Sequence, residues 1–150
     1  MEESLVHNDI RKIIESQFGE AKTDLKAYSP LTLAFIGDAV YSLIIRTIIV
    51  ERGNVPVNKL HKATTSLVQA NAQAEMIQSI QTMLTEEEES AYRRGRNAKS
   101  GSSAKNASIQ TYRKATGMES LVGYLYLKGD YERILELMKK GLSIEESEKE

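Results

Sequence analysis

The feature that most constrains this chain is an apolar stretch, residues 31–50, with a single acidic residue, Asp38, near its middle. Ser29 and Pro30 precede the stretch as an N-cap and a first-turn proline, so it is predicted to form one long helix. The stretch is long enough for a bilayer, but Asp38 and Arg46 each add roughly 2.5–3.5 kcal/mol to the free energy of insertion. We therefore expect no membrane span, but a helix buried on nearly all sides, in a core or against a partner subunit.

Helical patterns continue along the chain, and strand patterns are nearly absent. Apolar residues recur at helical spacing after Pro56, and Thr85 with Glu88 forms a capping box. Ser108 can cap a further helix, which Gly129 ends. We expect an all-α domain of six or seven helices.

Length and composition define the organisation of the chain. At 150 residues it can hold one sizeable core. We divide it into an N-terminal extension with one short helix (1–27), a helical domain (28–141) and a charged tail (142–150). The sequence has no cysteine, which excludes disulfides and thiolate metal sites. Because the N-terminus is acidic and no apolar segment typical of a secretory signal follows it, a cytoplasmic location is expected.

Charge is unevenly distributed although the net charge is only −1. No acidic residue lies between Glu89 and Glu119, whereas basic residues are frequent there, on and beside a predicted loop. Such a block can bind a phosphate backbone, and its few aromatic residues favour a duplex over stacked single-stranded bases. The alternative is a solvated loop that balances the preceding run of glutamates. The candidate nucleic-acid-binding residues are Arg93, Arg94, Arg96, Asn97, Lys99, Lys105 and Arg113.

Asp38 needs a partner if its helix is buried, because burying an unpaired charge is costly. An arginine, such as Arg46 of a neighbouring chain or Arg113, a helix N-terminus or a divalent cation could each serve. Gly37 costs about 1 kcal/mol relative to alanine within a helix, which indicates that another backbone approaches closely there.

A second acid lies among glycines, since Glu119 follows Gly117 closely and precedes Gly123 by one helical turn. If the two glycine-bearing helices pack together, Asp38 and Glu119 can face each other. Two adjacent carboxylates repel unless a proton or a cation lies between them. Magnesium suits such a pair because it accepts one or two carboxylates, retains water and binds phosphate oxygens.

Four separated motifs carry a resemblance to a known family. They are LAFIGDAVYSLIIR, LHKATTSLVQANAQAEMI, RRGRNAKSG and TYRKATGMESLVGYLYL. In this order and spacing they resemble the ribonuclease III family, and its short members, the Mini-ribonuclease III proteins, above all. The resemblance extends from about residue 31 to residue 137. It implies a helical catalytic domain that works as a homodimer, cleaves double-stranded RNA with Mg²⁺ and leaves a 5′ phosphate.

The resemblance also implies particular roles. Asp38 matches the essential aspartate of the family and Glu119 matches the glutamate of its second acidic motif, so both are candidate catalytic residues and metal ligands. Ala34 and Thr116 stand where longer relatives carry a further glutamate and a further aspartate. The Mini members resemble this chain at both positions. For those short members the resemblance implies maturation of the large-subunit (23S) ribosomal RNA precursor, with a ribosomal protein as a candidate for presenting the substrate.

Two other functions are compatible with the same residues. One is a dimeric RNA-binding protein that does not cleave, since the set of carboxylates is small. The other is a helical interaction module whose basic loop binds an acidic protein.

Overall fold

The computed structural model describes residues 9–99 and 108–142, and these residues form seven α-helices and no β-strand. The all-α prediction is therefore confirmed for the described part of the chain. Short 3-10 turns precede α2 and follow α4. The helices are α1 (Ile10–Phe18), α2 (Pro30–Glu51), α3 (Val57–Val68), α4 (Ala70–Ile80), α5 (Glu86–Asn97), α6 (Ile109–Lys128) and α7 (Tyr131–Leu142).

Several helix ends form as their capping residues predict. The Ser29 side chain accepts a hydrogen bond from the Thr32 backbone N–H at 3.2 Å at the start of α2. At the start of α5, the Thr85 N–H donates to the Glu88 carboxylate at 2.9 Å, and the Glu88 N–H donates to the Thr85 hydroxyl at 3.2 Å. Gly129 ends α6 with a φ of 87°, a left-handed conformation that favours glycine.

The end of α2 agrees with the glycine that the sequence places there, since Arg52 is the C-cap and Gly53 follows it directly. Two other details differ from the sequence pattern. The apolar repeat after Pro56 is split into α3 and α4 at Gln69, whose backbone is extended, because the two segments pack on different partners, α2 and α6. Gly141 lies within α7 instead of ending it, and a Cβ atom there would lie 2.3 Å from Met76 Cγ. This glycine therefore allows close packing.

The core surrounds α6, which packs against α2, α5, α4 and α7. A helix in contact on several sides needs apolar or small residues around most of its circumference. The residues of α6 that are buried include Ala115, Thr116, Gly117, Met118, Ser120, Leu121, Val122, Gly123, Tyr124 and Leu125.

The crossing of α2 and α6 is a contact between backbones. A Cβ atom on Gly37 would lie 1.8 Å from the carbonyl oxygen of Glu119, and one on Gly123 would lie 1.9 Å from the carbonyl oxygen of Leu33. Neither position can therefore hold a side chain in this arrangement. The close approach that the sequence indicated at Gly37 is confirmed.

A second close crossing joins α5 to α6. A Cβ atom on Gly95 would lie 2.5 Å from Ser120 Cβ, and one on Gly117 would lie 2.7 Å from the ring of Tyr92. The second half of α5 is therefore held tightly against the helix that carries Glu119.

Helix α2 is buried on one side only within this chain. Phe35, Leu43 and Val50 are 80%, 65% and 56% exposed, although Tyr41 is completely buried. The described residues of one chain therefore do not bury α2 on nearly all sides, and its burial against a partner subunit stays a prediction. By length and composition α2 could cross a membrane, but the core helix of a soluble protein passes the same test, and 33% of its apolar window is buried here.

The N-cap of the N-terminal helix α1 is Asp9, whose side chain accepts hydrogen bonds from two backbone N–H groups of the first turn. The hydroxyl of Tyr131, on α7, also donates to Asp9. A short helix thus lies in the proposed extension, while the domain boundaries themselves stay a prediction. The predicted charged tail lies outside the described residues, apart from its first residue.

We expect Gly37→Ala to destabilise the protein by about 3 kcal/mol or more, because the new methyl group would overlap the Glu119 carbonyl. Alanine is the better helix former by about 1 kcal/mol, so propensity alone predicts the opposite sign. Gly53→Ala is the control, because its Cβ would meet only Val55, at 4.0 Å. Chemical unfolding measures both, and equal stability of the two variants would contradict the backbone contact.

Candidate active site

Asp38 and Glu119 line one cavity of about 350 Å³ next to the crossing of α2 and α6. Asp38 is exposed at its mouth, whereas Glu119 is more enclosed. Each acid is adjacent to the crossing because Gly37 precedes Asp38 and the Glu119 carbonyl faces Gly37. The structure therefore brings together the two acids that the sequence singled out.

The two carboxyl groups interact directly. The pKa of Glu119 is raised to about 8. Burial contributes most to this rise, and the negative charge of Asp38 and a hydrogen bond with Asp38 add to it. Near neutral pH this pair therefore holds a proton in the absence of a cation. A divalent cation between the carboxylates would remove the repulsion that retains this proton, so the pair fits a cation.

The ligand set is small. In the described ranges, no group of three or more His, Cys, Asp or Glu side chains is arranged to hold a metal ion. Ala34 and Thr116 line the same cavity as the two acids. These are the positions where longer relatives are expected to carry further acids. A cation held by Asp38 and Glu119 would therefore take most of its other ligands from water.

The ion-pair alternative for Asp38 does not form within the described part of one chain. Asp38 makes no salt bridge there, and the Arg46 guanidinium donates to the Ser42 hydroxyl at 3.1 Å instead. Arg113 is exposed on the first turns of α6. Within the described residues of one chain, the partner of the Asp38 carboxyl is therefore Glu119, and an ion pair with Arg46 of a neighbouring chain stays a prediction.

Tyr41 lies one turn after Asp38 on α2 and is fully buried. Its hydroxyl donates to the carbonyl oxygen of Leu67 at 3.0 Å. Burial raises the pKa of the Tyr41 hydroxyl well above its usual range, and the charge of Glu119 adds to this. Tyr41 is therefore a neutral residue that fixes α2 to the end of α3, and it belongs to the core of the chain itself.

The basic residues in the described part of the chain do not line the cavity. Arg93, Arg94, Asn97 and Lys99 are exposed at the end of α5 and just after it, while Arg96 is partly covered. The residues that line the cavity with the two acids do not include them. Lys105 lies outside the described residues, as does most of the predicted loop.

Three of these arginines have structural contacts as well. The Arg93 guanidinium lies 3.8 Å from the Glu89 carboxylate, one turn earlier on α5. The Arg94 guanidinium donates to the Tyr28 carbonyl oxygen at 3.4 Å, just before the cap of α2. The Arg96 guanidinium lies 5.6 Å from the centre of the Tyr92 ring and donates to Asn97 at 3.2 Å. These contacts orient the end of α5 and leave much of each cationic group accessible to solvent.

Sequence reasoning missed two residues near the acids. Tyr112 lines the cavity, one turn before Thr116 on α6. In the sequence, Tyr112 stands out only as an aromatic residue within a basic block. Gln73, on α4, is buried and its amide lowers the pKa of Glu119. A polar residue at a core position of the apolar repeat was the signal that could have identified Gln73.

An all-α domain with two interacting carboxylates in an open cavity belongs to the class of helical domains able to carry out metal-assisted hydrolysis. Comparison with known proteins defines the class further. The sequence profile of the Ribonuclease III domain matches residues 31–130. The chain therefore belongs to the ribonuclease III family and is an endoribonuclease.

The relatives include short proteins of similar size. The Mini-ribonuclease 3 of Clostridium tetani is 53% identical over 126 residues, which cover 83% of each chain. That of Brevibacillus brevis is 49% identical over 129 residues, or 86% of this chain and 96% of that protein. The crystal structure of a protein from Fusobacterium nucleatum superposes with a TM-score of 0.73 at 29% identity, covering 79% of this chain and 96% of that one.

We expect Glu119→Gln to unfold at a higher temperature than the parent chain at pH 8 in EDTA, and at nearly the same temperature at pH 5. The pKa of Glu119 is about 8 in the folded state and has its ordinary value of 4.5 in the unfolded state. The parent chain therefore loses stability as pH rises from about 4.5 to about 8. The difference at pH 8 is expected to be on the order of 2 kcal/mol, or about 4–8 °C.

Glu75→Gln is the matched control, since Glu75 is exposed on α4. Differential scanning calorimetry at both pH values measures the three proteins. A Glu119→Gln variant that is less stable than the parent chain at pH 8 would contradict the raised pKa of Glu119 that burial and Asp38 cause.

Proposed function

We propose that this chain is a Mg²⁺-dependent endoribonuclease that cleaves double-stranded RNA and matures the 23S ribosomal RNA precursor. The observation that carries the proposal is the shared cavity of Asp38 and Glu119 at the crossing of α2 and α6. The similarity to Mini-ribonuclease 3 proteins over most of the chain supports it. A cytoplasmic location and presentation of the substrate by a ribosomal protein are part of the same proposal.

Asp38 and Glu119 are the residues that would hold the cation, in a set small enough to leave several positions to water. When bound, Mg²⁺ supplies a Lewis acid for the scissile phosphate and a lower pKa for the attacking water, so that in-line hydrolysis leaves a 5′ phosphate. The protein supplies the negative charge that attracts the cation. It also orients the acids through the fixed crossing of the helices that carry them.

The RNA duplex is proposed to bind across the end of α5 and the start of α6. Arg93, Arg94, Arg96, Asn97 and Lys99 provide donors there for phosphate and sugar oxygens, which in an A-form duplex are read mainly by shape. Arg113 extends this surface onto α6, and Lys105 adds charge from the connecting segment.

A homodimer is proposed because α2 keeps an apolar face that the described residues of the chain do not cover. Phe35, Leu43 and Val50 are spaced by eight and seven residues, which places them on one side of the helix. A two-fold axis near this face would pair two cavities, one for each strand of a duplex.

The non-cleaving alternative is favoured by one observation, the lack of a third acidic ligand in the described residues. Incubation of the protein with a long RNA duplex, with Mg²⁺ or with EDTA, distinguishes the functions. The proposal requires cleavage with Mg²⁺ and binding alone with EDTA. Binding without cleavage in both conditions would support the alternative, and no binding would support an interaction module.

We expect Asp38→Asn to reduce cleavage by a factor of at least about 10³, while binding of the duplex in EDTA stays near that of the parent chain. Its thermal stability should equal or exceed that of the parent chain, because one of two repelling charges is removed. The substitution removes a charge from an exposed side chain and keeps its shape. Asp24→Asn is the control, since Asp24 makes no side-chain cap bond. Gel analysis of duplex products measures cleavage, and an active Asp38→Asn variant would place the chemistry elsewhere.

We expect Arg94→Ala combined with Arg96→Ala to weaken binding of an RNA duplex in EDTA and to reduce the slope of log affinity against log salt by about 1–2. Two fewer phosphate contacts release fewer counterions. Lys139→Ala with Lys140→Ala removes the same charge from the exposed end of α7 and serves as the control. Fluorescence anisotropy from 50 to 300 mM salt measures the slope, and equal slopes for both double variants would refute the proposed surface.

A further inference from the structure

Gln73 is a polar residue in the core. It is 1% exposed, and the neighbouring positions on α4 that face the interior are Ala74, Met76 and Ile77. An amide buried without its hydrogen bonds costs about 1–3 kcal/mol, whereas leucine or methionine at this position would cost nothing of the kind. Packing alone therefore does not explain a glutamine here.

The amide nitrogen of Gln73 is a buried donor without a full hydrogen bond. Its Nε2 atom has no acceptor at full hydrogen-bond distance in the described structure. The polar group with which the Gln73 side chain interacts is the carboxyl of Glu119, on the helix α6 against which α4 packs. A donor is thus available to Glu119 from the protein interior.

We propose that Gln73 is a positioning residue, whose amide N–H donates to the Glu119 carboxylate when that carboxylate binds the divalent cation. This inference rests on the proposed function of Asp38 and Glu119. A carboxylate has two oxygens, so one can accept from Gln73 while the other remains for the cation. Partners of this kind orient a ligand, and their loss typically costs 10- to 100-fold in metal affinity or activity.

The contribution of Gln73 is greater here than it would be in a site with many ligands. Within the described residues only Asp38 and Glu119 can serve as acidic ligands in the cavity. Each rotation of the Glu119 side chain away from the cavity would remove half of this set. A fixed donor on α4, which packs against α6, restricts that rotation.

The test uses Gln73→Met in the full chain, since methionine has a similar length and shape and no donor. Gln78→Met, at an exposed position of the same helix, is the control. Binding of Mn²⁺ to the RNA-free protein is followed by electron paramagnetic resonance of the free ion. We expect Gln73→Met to bind Mn²⁺ at least 10-fold more weakly than the parent chain, and Gln78→Met to bind it equally well.

Two further measurements separate positioning from a structural role. In EDTA, the melting temperature of Gln73→Met should equal or exceed that of the parent chain, and its affinity for an RNA duplex should be unchanged. In cleavage assays, the Mg²⁺ concentration for half-maximal rate should rise at least 10-fold, with partial recovery of the rate at saturating Mg²⁺. Gln73→Leu replaces Gln73→Met if circular dichroism shows that the methionine variant does not fold.

The outcomes distinguish the inference from the function on which it rests. If the parent chain binds Mn²⁺ and the folded Gln73 variant binds it equally tightly, the positioning role is refuted and the proposed function stands. If the parent chain neither binds Mn²⁺ nor cleaves RNA with Mg²⁺, the proposed function fails. A reduced affinity with an unchanged melting temperature supports the inference.

Discussion

The contact between the backbones of α2 and α6 determines the rest of the structure. Gly37 and Gly123 each face a carbonyl oxygen of the opposite helix at a distance that admits no side chain. Asp38 directly follows Gly37, and Glu119 supplies the carbonyl oxygen that faces Gly37. The close contact therefore also fixes the relative position of these two acids. A site with two acidic groups depends on their relative position, and helices in direct contact fix that position better than loops do.

This arrangement has an energetic cost. Glu119 is partly buried beside another acid. Its pKa is raised because burial and the charge of Asp38 both make its ionised form unfavourable. The surrounding core offsets this cost, since Tyr41, Met118 and Leu121 are fully buried around the crossing. Functional sites commonly retain such locally unfavourable interactions, and the stability of the rest of the structure compensates for them.

Much of this organisation could be predicted from local features of the sequence. Ser29, Thr85 and Gly129 mark helix ends because capping depends on a few neighbouring residues. The mid-helix Gly37 indicated a close approach, since nothing local compensates for its low helix propensity. The partner of that approach, Gly123, followed only from the assumption that two glycine-flanked acids meet.

The features that escaped prediction depend on packing between distant segments. An apolar repeat does not reveal that the chain changes direction at Gln69, nor that Gly141 lies inside a helix against Met76. Gln73 was missed for the same reason, because its importance lies in which helix α4 faces. Likewise, apolar periodicity cannot distinguish Tyr41, which is core, from Phe35, which is exposed.

The tight contact of α5 with α6 has a consequence for how a duplex would be cut. Since Gly95 and Gly117 hold these helices against each other, the arginines at the end of α5 and the acid on α6 belong to one rigid body. Under the proposed function, the offset between the gripped phosphates and the hydrolysed bond is then the same for every substrate. The position along the duplex at which the RNA binds the protein then determines which bond is cut. A bulge or mismatch that shifts this binding position shifts the cleaved bond by the same distance.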